Sequence, residues 1–167
     1  MSTIFTYTGK RVDFLSLRSE DISILDIAHS LSNLCRFAGH TRDYYSVAEH
    51  SVRVSFLLPD HLKLAGLLHD AAEAYLVDLP TPLKKLLPGY TNIESAVERT
   101  LFKHFGLPLE LPNEVKEADQ QMLAQEIHYY FDGPGPKKRA PSLGGLTPAA
   151  AEGWFLKLYT KYLGLPR

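Results

Sequence analysis

Four side chains that suit one metal ion are scattered along this chain: His50, the adjacent pair His69 and Asp70, and Asp119. Bringing them together is the strongest demand the sequence makes on a fold. Two imidazoles and two carboxylates form a mixed N/O ligand set for one divalent transition metal. Apart from His69 and Asp70, each falls on a different predicted helix, and helical bundles build metal sites from facing helices in this way. Neighbouring residues on a helix point about 100° apart. His69 and Asp70 therefore converge on one ion only if it lies between their directions. Taken singly, His50 also fits a core or capping histidine and Asp119 a solvated helix carboxylate, so spacing leaves both readings open.

The pattern around these residues predicts an all-α bundle with a short N-terminal extended arm or hairpin. Residues 3–15 carry β-type residues around Thr8-Gly9-Lys10. Ile22, Leu25, Ile27, Ala28, Leu31 and Leu34 then recur at helix spacing, with Ser19 or Asp21 as start signals. Residues 35–45 read as a polar loop. Ser46-Val-Ala-Glu49 is a capping box that places His50 in the first turns of a helix. Asp60 is expected to cap a helix running to about Leu76, carrying His69, Asp70 and Glu73, and the prolines of Asp78-Leu-Pro80-Thr-Pro82 stop it. Thr91-Asn-Ile-Glu94 is a second capping box, Gly106 a helix stop and Asn113 the start of a long helix through Tyr130. Residues 132–142 read as a flexible connection with a basic centre. Thr147-Pro148 opens the last helix, with Trp154, Phe155, Leu158, Tyr159 and Tyr162.

Composition narrows the function classes. The 167 residues favour one compact domain, and 45% hydrophobic content suffices for a sizeable core. A net charge of −1 argues against a nucleic-acid-coating protein. No apolar run approaches the roughly 20 residues that span a bilayer. The start, Met1-Ser-Thr-Ile-Phe-Thr-Tyr7, lacks a secretory pattern. The lone Cys35 fits a small core filler in a reducing compartment, so a cytoplasmic location is expected.

The stretches Tyr45-Ser-Val-Ala-Glu-His50-Ser-Val52, Leu67-Leu-His69-Asp70-Ala-Ala-Glu73-Ala-Tyr-Leu-Val-Asp78-Leu-Pro80-Thr-Pro82-Leu-Lys84 and Val115-Lys-Glu-Ala-Asp119 closely resemble the HD superfamily of metal-dependent phosphohydrolases. The likeness is best to bacterial 5′-deoxynucleotidases and to compact phage and bacterial deoxynucleoside triphosphohydrolases, including phage dATP triphosphohydrolases. It covers most of residues 20–125 and implies one HD-type domain over 1–167. It also implies that His50, His69, Asp70 and Asp119 bind one divalent metal (Zn, Co or Mn). A bound metal can turn water into a nucleophile near neutral pH.

Glu73 follows Asp70 and His69 at helix spacing and is free to position or deprotonate the attacking water. The resemblance implies the same role for it, and a substrate contact for Asp78, whose carboxylate suits a sugar 3′-hydroxyl. Arg36 can clamp a phosphate in bidentate fashion. The adjacent Phe37 stands where related deoxynucleotidases carry a tryptophan that excludes a ribose 2′-hydroxyl. Lys84 and Lys116 are further phosphate candidates. His40 is a candidate second metal ligand, but its loop position matches substrate-side residues, and His61, His104 and His128 lack second-metal spacing. A mononuclear site is therefore expected, with His29 structural.

The expected activity is release of deoxynucleoside and triphosphate from a dNTP, with dATP the favoured candidate. The alternatives are a 5′-deoxynucleotidase acting on dNMPs and a non-catalytic nucleotide-binding regulator. The resemblance implies a homo-oligomer, a dimer or larger and as large as a hexamer. The aromatics Tyr44, Tyr45, Phe131, Trp154, Tyr159 and Tyr162 fit either core or an association surface. A small-molecule deoxynucleotide is the expected partner, with neither nucleic acid nor membrane.

Overall fold

The computed structural model describes residues 2–131 and 145–165; the proposed connection at 132–142 lies outside them. Among the described residues the chain folds as a helical bundle with one small hairpin. β1 (Thr3–Phe5) pairs antiparallel with β2 (Arg11–Asp13), Ile4 opposite Val12. Gly9, at φ 82°, makes the tight return. The buried carboxylate of Asp26 ties the hairpin down, accepting from the backbone N–H of Thr8 at 2.6 Å and from its hydroxyl at 2.9 Å.

α1 (Ile24–Asn33) starts later than Ser19 or Asp21. Those residues form a separate turn, in which Asp21 pairs with Arg18 instead of capping α1. Ile27, Ala28 and Leu31 are buried, whereas Leu25 faces outward, 47% exposed. α2 (Val47–Phe56) begins as expected, with the Ser46 hydroxyl accepting from the Glu49 N–H. The return half of that capping box is missing. The Glu49 carboxylate instead accepts from Arg53 and from the backbone N–H of Leu146.

The expected continuous helix from Asp60 to Leu76 is in fact broken. α3 (Lys63–Leu68) and α4 (Glu73–Leu76) are separated by a turn that carries His69 and Asp70. There the backbone bonds tighten to the three-residue pattern, Ala71 to Leu68 and Glu73 to Asp70. Asp60 does not cap α3; it pairs with Lys63. Val77, at φ 64°, ends α4, and the short α5 (Thr81–Lys84) follows with a proline in its first turn.

α6 (Tyr90–His104) is preceded by Gly89 at φ 90°, and no capping box forms at Thr91–Glu94, because Glu94 binds Lys84. Gly106, at φ 66°, closes its C-terminus, where the Leu107 N–H reaches the Phe102 carbonyl at 2.8 Å. α7 (Asn113–Tyr130) and α8 (Pro148–Leu163) fall where the sequence predicts, α8 capped by Thr147.

The main core joins α1, α2, α3, α6 and α8 through Ile27, Leu31, Val47, Leu67, Leu101 and Phe155. A second cluster, with Val54, Ala65, Val115 and Met122, packs α7 on α2 and α3. Of the aromatic candidates, Tyr45 and Tyr162 are core, while Trp154 and Phe131 remain half-exposed. Close approach of α2 and α3 requires Gly66: a Cβ there would meet the Leu58 side chain and sit 3.3 Å from the Ser55 Cα. Among the described residues, no helix is long and apolar enough to cross a membrane.

Candidate metal centre

α2, the α3–α4 turn and α7 bring His50, His69 and Asp119 into one group whose ligand atoms all lie within 4.8 Å of one another, with Asp70 beside the two histidines. His50 Nε2 lies 3.0 Å from Asp119 Oδ1 and 3.7 Å from Asp70 Oδ2. His69 Nε2 lies 3.2 Å from Asp70 Oδ2 and 3.7 Å from Asp119 Oδ1. Two ligands each about 2.1 Å from a shared ion stand roughly 3–4 Å apart. The spacings among His50, His69 and Asp119 therefore suit one cation, with Asp70 alongside as a fourth candidate. Side-chain exposure rises from 0% at His50 and 8% at His69 to 20% at Asp70 and 37% at Asp119, so the centre opens to solvent on its carboxylate side.

The imidazole tautomers add a second test. His50 Nδ1 donates to the Glu126 carboxylate at 2.6 Å, and His69 Nδ1 donates to the Gly66 carbonyl at 2.8 Å. Each acceptor holds the proton on Nδ1 and leaves the Nε2 lone pair facing the cluster. Both Nε2 atoms are buried and make no well-formed hydrogen bond. Buried polar atoms without partners are costly, and a divalent cation removes that cost, so the residues fit a metal.

Charge points the same way. Burial by itself would raise the carboxyls of Asp70 and Asp119, but the adjacent imidazoles, with Arg36 beside Asp70, reverse this and hold both well below the usual carboxylate range. Burial opposes charge on His69, yet Asp70 and Asp119 raise its pKa well above the ordinary imidazole value. The cluster thus calls for positive charge, which a proton or a metal can supply.

A cavity of about 450 Å³ adjoins the cluster. Arg36, Phe37, Asp70, Glu73, Asp78, Lys84 and Asp119 line it, with Leu79, Pro80, Pro82 and Leu123 as apolar wall. Burial, then the charges of Asp70 and Asp78, push the Glu73 carboxyl well above its usual range, and its Oε2 is buried without a hydrogen bond. Burial also raises Asp78, which the turn at Val77 delivers to the cavity. Lys84 is paired with Glu94 at 2.5 Å and lies 4.0 Å from Glu73.

Arg36 and Phe37 enter from the 35–45 loop, which is more ordered inside than a polar loop suggests. Its ends are clasped where Arg36 N–H donates to the Tyr45 carbonyl and Val47 N–H to the Leu34 carbonyl. Phe37 and Ala38 sit in the left-handed region at φ 52° and 50°, a strained pair of the kind that persists at functional sites. The Phe37 ring packs edge-on against Phe131, centroids 5.2 Å apart. His40 and Lys116 are exposed and do not line the cavity.

Sequence reasoning missed Glu126. It is fully buried and accepts from His50 Nδ1, from the Tyr45 hydroxyl at 2.6 Å and from Arg36 Nη2 at 3.0 Å. Burial works against its charge, but His50 and Arg36 outweigh that and keep it ionised. The signal was present: Val115, Ala118 and Met122 mark the buried stripe of α7, and Glu126 continues it at helical spacing. A glutamate on an apolar stripe demands partners.

No protein-family model matches the chain. It is similar to the uncharacterized protein YfdR of Escherichia coli, 47% identical over 126 residues that cover 75% of this chain and 71% of YfdR. It is 34% identical over 76 residues to a protein named 5′-deoxynucleotidase from Vibrio atlanticus, covering 34% of this chain and 39% of that protein. It is also 32% identical over 105 residues to 5′-deoxynucleotidase PM0747 of Pasteurella multocida, covering 50% and 53%. The chain thus spans no more than about half the length of these two nucleotidases.

Proposed function

Because the chain belongs to the family of E. coli YfdR and is partly similar to proteins named 5′-deoxynucleotidase, we propose that it is a metal-dependent phosphohydrolase of deoxynucleoside monophosphates. The observation that carries this reading is the pair of buried, partnerless Nε2 atoms of His50 and His69 facing Asp70 and Asp119 at the mouth of a cavity. His50, His69, Asp70 and Asp119 would hold the cation. When bound, it supplies a water of lowered pKa and neutralises phosphate charge.

The chain's own groups complete the reaction. Glu73, whose Oε2 makes no hydrogen bond and whose carboxyl has a raised pKa, takes the proton of the attacking water. Arg36, held on one side, presents its remaining donors to the phosphate. Water oxygen attacks phosphorus, the bond from phosphorus to the 5′-oxygen breaks, and the proton taken by Glu73 passes to that oxygen as the nucleoside leaves. Asp78 accepts from the sugar 3′-hydroxyl. Phe37 closes the sugar side against a 2′-hydroxyl. The aliphatic wall of Leu79, Pro80 and Leu123 suits a base face.

One feature favours a monophosphate over the triphosphate expected from the sequence. Among the described residues, four acids line the cavity against two cations, Arg36 and Lys84, and both cations are already paired with glutamates. A triphosphate tail demands more free positive charge than this. Incubation with dNMPs, dNTPs and rNMPs in Mn, Co or Zn, with Asp70→Ala alongside, tests the reading. Nucleoside and phosphate from dNMPs are expected. Intact triphosphate from dNTPs would return the protein to the triphosphohydrolases. An absence of metal-dependent turnover would leave a binding role.

A further inference from the structure

The ligand cluster and the phosphate clamp are not independent. Glu126, on α7, stands behind both of them. Its Oε1 accepts from His50 Nδ1 and the Tyr45 hydroxyl, each at 2.6 Å, and its Oε2 accepts from Arg36 Nη2 at 3.0 Å. Arg36 in turn reaches Asp70, a ligand candidate, at 3.8 Å. Glu126 and His50 are fully buried, and Arg36 is nearly so. In such surroundings an unpaired carboxylate is strongly disfavoured, so each of these bonds constrains its donor.

We propose that Glu126 is the positioning residue of this site, one carboxylate whose two oxygens separately aim His50 Nε2 at the metal and hold Arg36 toward the phosphate. The proposal rests on the phosphohydrolase reading. It follows from valence as well as distance. With Nδ1–H committed to Oε1, the only lone pair His50 can offer is on Nε2. With Nη2 committed to Oε2, the guanidinium cannot swing to Asp70 alone, and its other nitrogens remain for a phosphate. Glutamine cannot replace this arrangement. Its single oxygen serves either the His50 and Tyr45 side or the Arg36 side, and its NH₂ then meets a donor on the other.

Calorimetric titration of the metal-free protein with Co(II) is the test, followed by the visible absorption of the Co(II) form. Glu126→Gln is expected to bind Co(II) 10- to 100-fold more weakly, with a shifted absorption band, as loss of an outer partner of a ligating histidine does. Its KM for a dNMP should rise as well, because Arg36 is released. Leu101→Val, in the core of α6, is the control for general loss of stability; its Co(II) affinity should stay within about threefold of wild type. Should Glu126→Gln fail to fold, nitrogen NMR of the wild-type histidines carries the test, with His50 protonated at Nδ1 in the metal-free protein.

Wild-type affinity and spectrum in Glu126→Gln overturn the proposal, as does a His50 that carries its proton elsewhere. Equal weakening by Leu101→Val overturns it too. A wild-type protein that binds no Co(II) overturns the phosphohydrolase reading and this proposal together. Co(II) bound tightly by both wild type and variant overturns this proposal alone.

Discussion

The two histidines of the cluster face the same carboxylates but are held in opposite ways. His50 sits in the first turns of α2, wholly buried, and a carboxylate from a distant helix fixes its Nδ1. His69 sits on the turn between α3 and α4, nearer solvent, and a backbone carbonyl one turn back fixes it. One half of the centre is thus built by tertiary contact and the other by local backbone. Damage to the two halves should differ in stability even where it is alike in activity.

The largest expected effect treats the halves alike. His50→Ala and His69→Ala should each remove metal binding and lower turnover by more than about a thousandfold, the nucleophile being lost in both. Metal titration and initial rates check this. Urea unfolding of the metal-free variants then separates them. His50→Ala leaves a buried hole and a carboxylate short of a donor, expected to cost ~2–4 kcal/mol. His69→Ala should cost about half as much. Equal losses would break the contrast.

Glu73→Gln should cut kcat by about 10²- to 10⁴-fold, as removal of a general base does, yet stabilise the metal-free fold. The folded-state pKa of Glu73 is raised above the unfolded value near 4.5. Its stabilising contribution is therefore complete below that value and is lost as pH rises through the folded pKa. Gln does not titrate. The melting-temperature gain of the variant should be small at pH 4 and grow upward from there. A gain that shrinks with rising pH would contradict the placement of Glu73 beside Asp70 and Asp78.

Gly66→Ala tests the local half. A methyl group there presses on Leu58 and on the α2 backbone, an overpacking expected to cost ~1–3 kcal/mol. It should also weaken Co(II) binding, because the same residue supplies the carbonyl that orients His69. Smallest, Ser46→Ala removes the cap of α2 and should cost about 1 kcal/mol. Thermal melts of both check the order.

Much of the bundle was legible because its signals are local. The cap at Ser46, the glycine stop at Gly106, the Asn113 start of α7 and the Thr147-Pro148 start of α8 act within a turn or two. The failures share a cause. The His69–Asp70 stretch reads as uninterrupted helix, yet the chain tightens there so that both side chains reach one centre and His69 can use the Gly66 carbonyl. Glu94 reads as half of a capping box, but Lys84 from another segment claims it. Leu25 fits the helical period and still faces outward, because packing with α8 and α4, not period alone, chooses the buried face of α1.

The sequence by itself determined the helical class, an extended N-terminal segment and the residue types able to hold a cation, since these follow from periodicity, caps and side-chain chemistry along the chain. Only the tertiary structure decided that Glu126 stands behind His50 and Arg36, that His40 and Lys116 stay outside the cavity, and that Arg36 and Lys84, the two cations lining it among the described residues, are already paired. Those depend on which helix faces meet across long stretches of chain, and burial, which sets the strength of every charge in the site, exists only once they have met.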